Sequence, residues 1–303
     1  MKSVIVTGAN GFVGSAVTKE LLLQNFEVLA IVHADNRSNL PDNPHLQIVS
    51  CEMSEISSLT DYLPQNKYDL FYHFAWSGSA GPLRTDYELQ LKNAKWSLDA
   101  IATASKLGCK RFIAAGSIVE DEVWAAVNSA GNKPGAPYIY GAGKIVFHQM
   151  GSPLAAKLGI ELVWGKITNT YGVGELSPRL VNTTLRKCID GISPEFTSGV
   201  QNYDFIYIDD LAKAFYLLGQ KGKPFSSYVL GSGQAKPLRE FLEELHYAVA
   251  PELPFLFGDV PFTGTNLPLS AFNADNLYED TGFIPEYSFV EGCKKTIAWL
   301  KSR

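Results

Sequence analysis

The stretch YIYGAGK, Tyr138–Lys144, brings two phenols close to one primary amine. Lys144 is four residues beyond Tyr140 and six beyond Tyr138. On a helix the four-residue spacing shares a face and the six-residue spacing does not. Tyr140 is therefore the expected partner, and Tyr138 a packing or rim aromatic. A free phenol, with a pKa of about 10, is a poor proton shuttle near neutrality. An adjacent ammonium favours the phenolate and draws that value down toward usable acid–base chemistry. Ser117, in AAGSIVEDE, ends an expected strand over Arg111–Gly116. Its hydroxyl can hold a carbonyl or alcohol oxygen while Tyr140 exchanges the proton. Taken singly, a YxxxK spacing arises by chance and a serine of this kind can be an ordinary turn residue.

A second chemical signal stands at the N-terminal end. GANGFVG sets Gly8, Gly11 and Gly14 directly after the apolar strand Val4–Thr7, with Asn10, Phe12 and Val13 inside the turn. Gly8 permits a tight turn, and Gly11 lets backbone amides approach a pyrophosphate. Gly14 permits close packing where a helix begins, and that helix N-terminus favours the anion. This order of strand, turn and helix predicts dinucleotide binding. Lys144 is then placed to hydrogen-bond a nicotinamide ribose as well. The next strand should end beside the adenosine ribose. There the chain reads IVHADNRSN, with His33 at the tip and Asn36 and Arg37 beyond. Arg37 suits a 2′-phosphate, whereas Asp35 would suit ribose hydroxyls. The reading favours NADP(H), with NAD(H) as the alternative. Glu52 and Met53 follow the third strand on the adenine side. Phe74, Ala75 and Trp76 of HFAW lie at another strand edge, toward the phosphate bridge and nicotinamide ribose; Ile167 ends a later strand. His73, among apolar neighbours, reads as a satisfied core histidine.

These residues need a scaffold of strands joined by helical crossovers. The alternation through residue 168 predicts an α/β, Rossmann-type doubly wound parallel sheet. Residues 1–168 form the expected nucleotide-binding domain, with returns to it near 203–231, and 169–303 form mainly a smaller substrate-binding lobe. The Tyr87–Lys106 helix offers Leu91, Ala94, Leu98, Ile101 and Ala102 as an apolar side. A polar excursion is expected from Ser117 to Pro137, and Pro153 is expected to bend or break the helix containing Tyr140. A later helix turns Leu180, Val181, Leu185 and Ile189 inward. Ser288 and Glu291 predict a capping box for the last helix.

Composition narrows the function classes. The chain has 303 residues, is 46% hydrophobic and carries a formal net charge of −5, which allows a sizeable core and argues against a general polyanion binder. No basic stripe interleaved with aromatics points to nucleic acid. Cys51, Cys109, Cys188 and Cys293 are far apart and predict neither disulfide nor metal ligation. With no eighteen-residue apolar run, and an N-terminus passing directly into a strand, the expectation is a cytoplasmic protein without a membrane association.

TGANGFVG, HFAW, Asn93, Ser117, YGAGK, KITNTYGVG, YDFIYIDDLAKAF, YVLGSG and the terminal EGCKKTIAWL together carry a resemblance over nearly the whole chain. The sequence resembles the extended short-chain dehydrogenase/reductase family, especially its nucleotide-sugar epimerases, dehydratases and reductases. That resemblance implies NAD or NADP on the N-terminal domain, with Asn93 among the residues serving it. A nucleoside-diphosphate sugar is implied in the C-terminal lobe, and Ser117, Tyr140 and Lys144 as the hydride-transfer set. It also implies substrate contacts from Ser77, Ser117, Tyr140, Asn169, Leu180 and Tyr203, and a homodimer formed through the Tyr87–Lys106 and Tyr140 helices. Arg179, Arg186 and Lys187 are candidate charges near the nucleotide.

Departures from the family pattern refine this. Ile118 and Val119 occupy the places where 4,6-dehydratases carry an Asp–Glu pair. Tyr203 stands where many epimerases have arginine, and Lys166 replaces the arginine of GRxxNxYG. The GSxxE context, with an aromatic before DFIYIDD, is similar to sugar 4-ketoreductases. The leading expectation is NADPH-dependent reduction of a nucleoside-diphosphate-4-keto-6-deoxy sugar at C4. The alternative is a nucleotide-sugar 4-epimerase with tightly bound NAD. A non-catalytic dinucleotide sensor on the same fold is disfavoured by the Ser117–Tyr140–Lys144 set.

Overall fold

In the computed structural model, residues 2–33, 39–131 and 134–303 are described. The apolar runs form strands whose side chains are buried on both faces, as a parallel sheet covered by helices requires. The first half runs β1 (Ser3–Thr7), α1 (Phe12–Leu23), β2 (Glu27–Val32), β3 (Leu46–Ser50), α2 (Leu59–Tyr62), β4 (Leu70–His73), α3 (Tyr87–Lys106), β5 (Arg111–Ser117), α4 (Val119–Val127), α5 (Tyr138–Leu158) and β6 (Glu161–Ile167). The second half follows with β7 (Asn169–Tyr171), α6 (Leu180–Ile189), β8 (Glu195–Phe196), β9 (Asn202–Tyr203), β10 (Phe205–Tyr207), α7 (Ile208–Lys221), β11 (Ser227–Leu230), β12 (Lys236–Pro237), α8 (Leu238–Val249), β13 (Leu256–Phe257), α9 (Asp275–Thr281) and α10 (Phe289–Lys301).

Seven strands make one sheet in the order β11-β6-β5-β4-β1-β2-β3, every pair parallel. The order reverses at β1, which pairs with β2 on one side and β4 on the other. At such a switch point the loops leave in opposite directions and open a crevice at the carboxyl ends. One face packs a core containing Val4, Val6, Val17 and Leu21 with Phe215 and Leu218 of α7; the other packs Ile5, Phe71 and Phe112 against Ile101 of α3 and Phe147 of α5. This is the expected Rossmann-type sheet with a smaller C-terminal lobe. Among the described residues no helix is long and apolar enough to cross a membrane.

Local expectations fare unevenly. The polar excursion after Ser117 contains α4, because Val119, Val123 and Ala126 bury one side while Glu120, Asp121 and Glu122 lie in the first turn, at the positive end of the dipole. Pro153 lies inside α5 without ending it. Leu91 and Ile189 are exposed. The inner face of α3 is instead built partly from Gln90, Asn93 and Ser97, whose polar groups find partners inside the protein. The Ser288–Glu291 capping box forms as expected, and all four cysteines are free. No cluster fit to hold a metal occurs among the described residues.

Candidate active site

The turn between β1 and α1 has no room for side chains at two of its glycines. A Cβ on Gly8, which sits at φ +65°, would meet Ala75 N at 2.6 Å, and one on Gly14 would meet Gly8 O at 2.1 Å. α1 starts at Gly11 without a side-chain cap, which leaves its N-terminal amides for an anion. Beside this turn opens a cavity of about 290 Å³ lined by Gly8, Asn10, Gly11, His33, Glu52, Met53, Phe74, Ala75, Trp76 and Ser77. A turn too tightly packed for side chains, followed by an uncapped helix N-terminus and opening on this cavity, fits a dinucleotide.

Other residues singled out in the sequence lie elsewhere. Phe12 lines a groove on the outer side of α1, and Val13 and Ile167 pack against the core. Asn93 does not line the cavity; its amide accepts from Ser77 N–H at 3.1 Å and donates to Ser77 O at 2.8 Å, fixing that backbone. At the β2 tip, His33 Nε2 lies 3.2 Å from Glu52 Oε1. Asp35, Asn36 and Arg37 lie outside the described residues.

Tyr140 and Lys144 share the inward face of α5, and both are buried. Lys144 Nζ donates to Ala115 O at 3.0 Å and lies 3.7 Å from the centroid of the Trp76 ring. Burial lowers its pKa to about 7, and the Glu120 carboxylate opposes that shift. Burial pushes the Tyr140 phenol up; Arg179, Arg84 and a hydrogen bond from Ser117 oppose it. The expectation that Lys144 draws the phenol down is therefore corrected. Its ammonium is turned to a carbonyl and an indole, 5.9 Å from the Tyr140 ring centroid, while two arginines favour the phenolate. Tyr138 is a rim aromatic bonded to Thr265 Oγ1 at 2.7 Å. His73 is a satisfied core histidine, between Thr7 Oγ1 at 2.8 Å and Ser97 Oγ at 2.9 Å.

A second cavity, of about 260 Å³, adjoins the Tyr140 side and is lined by Arg84, Asn169, Glu175, Arg179, Leu180, Asn182 and Tyr203, among others. It brings together three of the sequence-predicted substrate residues, Asn169, Leu180 and Tyr203. Arg84 was missed. Its guanidinium carbon lies 4.8 Å from the Tyr140 ring centroid, and its Nε is buried without a hydrogen-bond partner. Its only sequence signal was a cation in the GPLRTD loop. Arg179 Nε lies 3.5 Å from Glu175 Oε2. Arg186 and Lys187 occupy the last turn of α6, where they complement its dipole, and do not line this cavity. Lys166 is held by both Asp121 carboxylate oxygens at 2.8 and 2.9 Å.

The profile of the NAD dependent epimerase/dehydratase family matches residues 4–231. The chain belongs to that family. It is an enzyme that works with a nicotinamide cofactor. It is 24% identical to the dTDP-glucose 4,6-dehydratase of Neisseria meningitidis serogroup B, over 99% of this chain and 93% of that protein. Its fold matches the Bordetella bronchiseptica enzyme WbmF in complex with NAD+, with TM-score 0.80, 21% identity and coverage of 99% and 93% of the two chains. It also matches the UDP-N-acetylglucosamine 4-epimerase of Methanobrevibacter ruminantium M1 in complex with UDP-N-acetylmuramic acid, with TM-score 0.82, 21% identity and coverage of 99% and 98%.

Two expectations are corrected by these findings. The relatives named above by their activity are a dehydratase and a 4-epimerase, so an NADPH-dependent C4 ketoreductase is not the reading they support. The likeness of GSxxE to 4-ketoreductases misled; in the structure its Glu120 is buried beneath Ser117 and accepts that residue's N–H at 2.8 Å. The preference for NADP(H) is likewise overturned, since WbmF carries NAD+ or NADH. That preference rested on Arg37, a single loop cation.

Proposed function

We propose that this protein is a nucleotide-sugar 4-epimerase that keeps NAD bound through turnover. The observation that carries the reading is Tyr140 between Lys144, Ser117 and Arg84, with no carboxyl residue immediately after Ser117. Ile118 and Val119 are buried apolar residues there. Asp121 is taken by Lys166, and Glu122, five residues beyond Ser117, lines a cavity with Pro134 and Tyr138 and faces the Arg84 guanidinium. Directly after Ser117 the chain thus carries no Asp–Glu pair of the kind the resemblance to 4,6-dehydratases implies, while keeping groups that move a single proton.

A bound NAD would supply reversible hydride exchange at sugar C4. Gly8, Gly11 and the uncapped start of α1 would hold its pyrophosphate, with Glu52 and Met53 in the same cavity for the adenine. Tyr140 takes the proton from the sugar 4-hydroxyl and gives it back after the keto sugar has turned its other face. Ser117 donates a hydrogen bond to the same oxygen, strongest as charge develops there. Arg84 and Arg179 favour the phenolate that starts the cycle. Lys144 orients the nicotinamide ribose. Asn169, Leu180 and Tyr203 would receive the nucleotide sugar, and Arg179, which lines the same cavity, would be its cation for the diphosphate.

The test has two arms. Nucleotide released by denaturing the purified protein is expected to be NAD, and NMR of UDP- and dTDP-hexoses is expected to show C4 epimers forming without net nicotinamide consumption. A dehydrated product, or stoichiometric NADPH oxidation, would overturn the proposal. Tyr140→Phe is expected to lower kcat by roughly 10²–10⁴-fold while retaining the nucleotide; unchanged turnover would remove Tyr140 from the acid–base role.

A further inference from the structure

The proposed mechanism leaves a buried charge beside Ser117 unused. Glu120, in the first turn of α4, is 3% exposed. Its Oε1 accepts from Ser117 N–H at 2.8 Å and from the Trp164 indole N–H at 3.3 Å. Its Oε2 lies 3.5 Å from His148 Nδ1, and that imidazole is stacked on the Trp164 ring with centroids 4.1 Å apart and planes 2° from parallel. A carboxylate this deeply buried is costly unless its oxygens are engaged. These partners engage both.

Consecutive residues of β5 show what the cluster grips. Ala115 O receives Lys144 Nζ, and Ser117 N–H is given to Glu120. Between them, a Cβ on Gly116 would come within 2.1 Å of Trp164 Nε1 and 2.7 Å of Glu120 Oε1. The strand end is pressed onto the carboxylate with no side chain between. We infer that Glu120 is a positioning residue of this active site: its carboxylate fixes the backbone that presents the Ser117 hydroxyl, and its negative charge is the counter-charge to Lys144, which is held two residues back on the same strand.

The surroundings of Lys144 leave Glu120 as its counter-charge. β4 contributes His73, held neutral by burial, and the following segment contributes the Trp76 ring. β5 contributes the Ala115 carbonyl, and α5 itself contributes the Tyr140 ring. The Glu120 carboxylate is the group that opposes desolvation of the amine. Around Glu120 the facing groups are Ser117 and Trp164 from the sheet, His148, Lys144 and Tyr140 from α5, and its helix neighbour Asp121, already bound to Lys166.

This inference deepens the epimerase reading, but its test does not depend on which reaction is catalysed. In protein labelled with ¹³C-lysine, the Lys144 Cε resonance, assigned by its loss in Lys144→Met, reports the amine's titration directly. Glu120→Gln keeps an oxygen for Ser117 N–H and removes the charge. It is expected to lower the Lys144 midpoint by about 1 unit with Ser117 amide exchange unchanged. Glu120→Asp keeps the charge and draws it back by a methylene. It is expected to speed Ser117 amide exchange by about tenfold while lowering the Lys144 midpoint less than Gln does. An unmoved midpoint in Glu120→Gln, or unaltered Ser117 exchange in Glu120→Asp, overturns the corresponding half of the assignment; if one variant does not fold, the other still decides its own half. Failure of the epimerase assay on the wild-type protein would leave both NMR results standing.

Discussion

Burial acts on Tyr140 and Lys144 in opposite senses, raising the phenol and lowering the amine. Both shifts favour the neutral form, since the low-dielectric interior penalises whichever form is charged. The amine's consequence for stability has a definite sign. Its pKa is 10.5 in an exposed chain and about 7 when folded, so between those values the unfolded chain binds the extra proton. Stability from this group is present in full above the higher value and is lost as pH falls toward about 7. Lys144→Met, apolar and similar in length, removes the penalty. The expected result at neutral pH is an inactive protein more stable by about 1 kcal/mol, read as a Tm higher by about 2 °C, with the gain shrinking at alkaline pH. Thermal melts at several pH values check it; a lower Tm at every pH would mean that the bond to Ala115 O outweighs desolvation.

At the scale of elements, the junction of β1, α1 and the loop after β4 is the tightest feature of the nucleotide end. Gly14→Ala would drive a methyl into the carbonyl of Gly8, 2.1 Å away. Backbone does not yield as a flexible side chain does, so α1 must move away from the turn. The expected cost is about 1–3 kcal/mol of stability together with a loss of bound nucleotide. Urea titration and the nucleotide content of the purified variant measure the two effects. Full nucleotide occupancy with unchanged stability would show that the turn is looser than its geometry implies. α4 teaches a related point. Its sequence, VEDEVWAAV, reads as polar, yet three apolar positions suffice to seat it, and that seating carries Glu120 beneath Ser117.

For the whole molecule, α3 and α5 pack side by side on one face of the sheet and turn Tyr87, Leu91 and Met150 to the outside, all more than half exposed. Large apolar side chains on adjoining helices are the kind of surface that protein association covers. The expected assembly is a homodimer through these helices. Light scattering should give twice the 33.2 kDa chain mass for the wild type and a single chain for Leu91→Glu combined with Met150→Glu. A monomeric wild type at working concentration would refute the dimer and leave the single-chain site as described.

The features legible in the sequence were those set by short-range geometry. Three glycines after an apolar strand, a tyrosine and a lysine four apart, a serine at a strand end and a capping box each follow from backbone conformation over a few residues. Where one such signal stood for a distant contact, it misled: Arg37 favoured NADP(H), against the NAD-bound structures this fold matches, and GSxxE favoured a 4-ketoreductase. Tertiary structure alone decided that Arg84 lies against Tyr140, that Lys144 faces Ala115 O and Trp76, and that Glu120 closes a buried cluster with Trp164 and His148. Those partners are separated by tens of residues, and only the packing of helices on a completed parallel sheet brings them together, so no local periodicity records them.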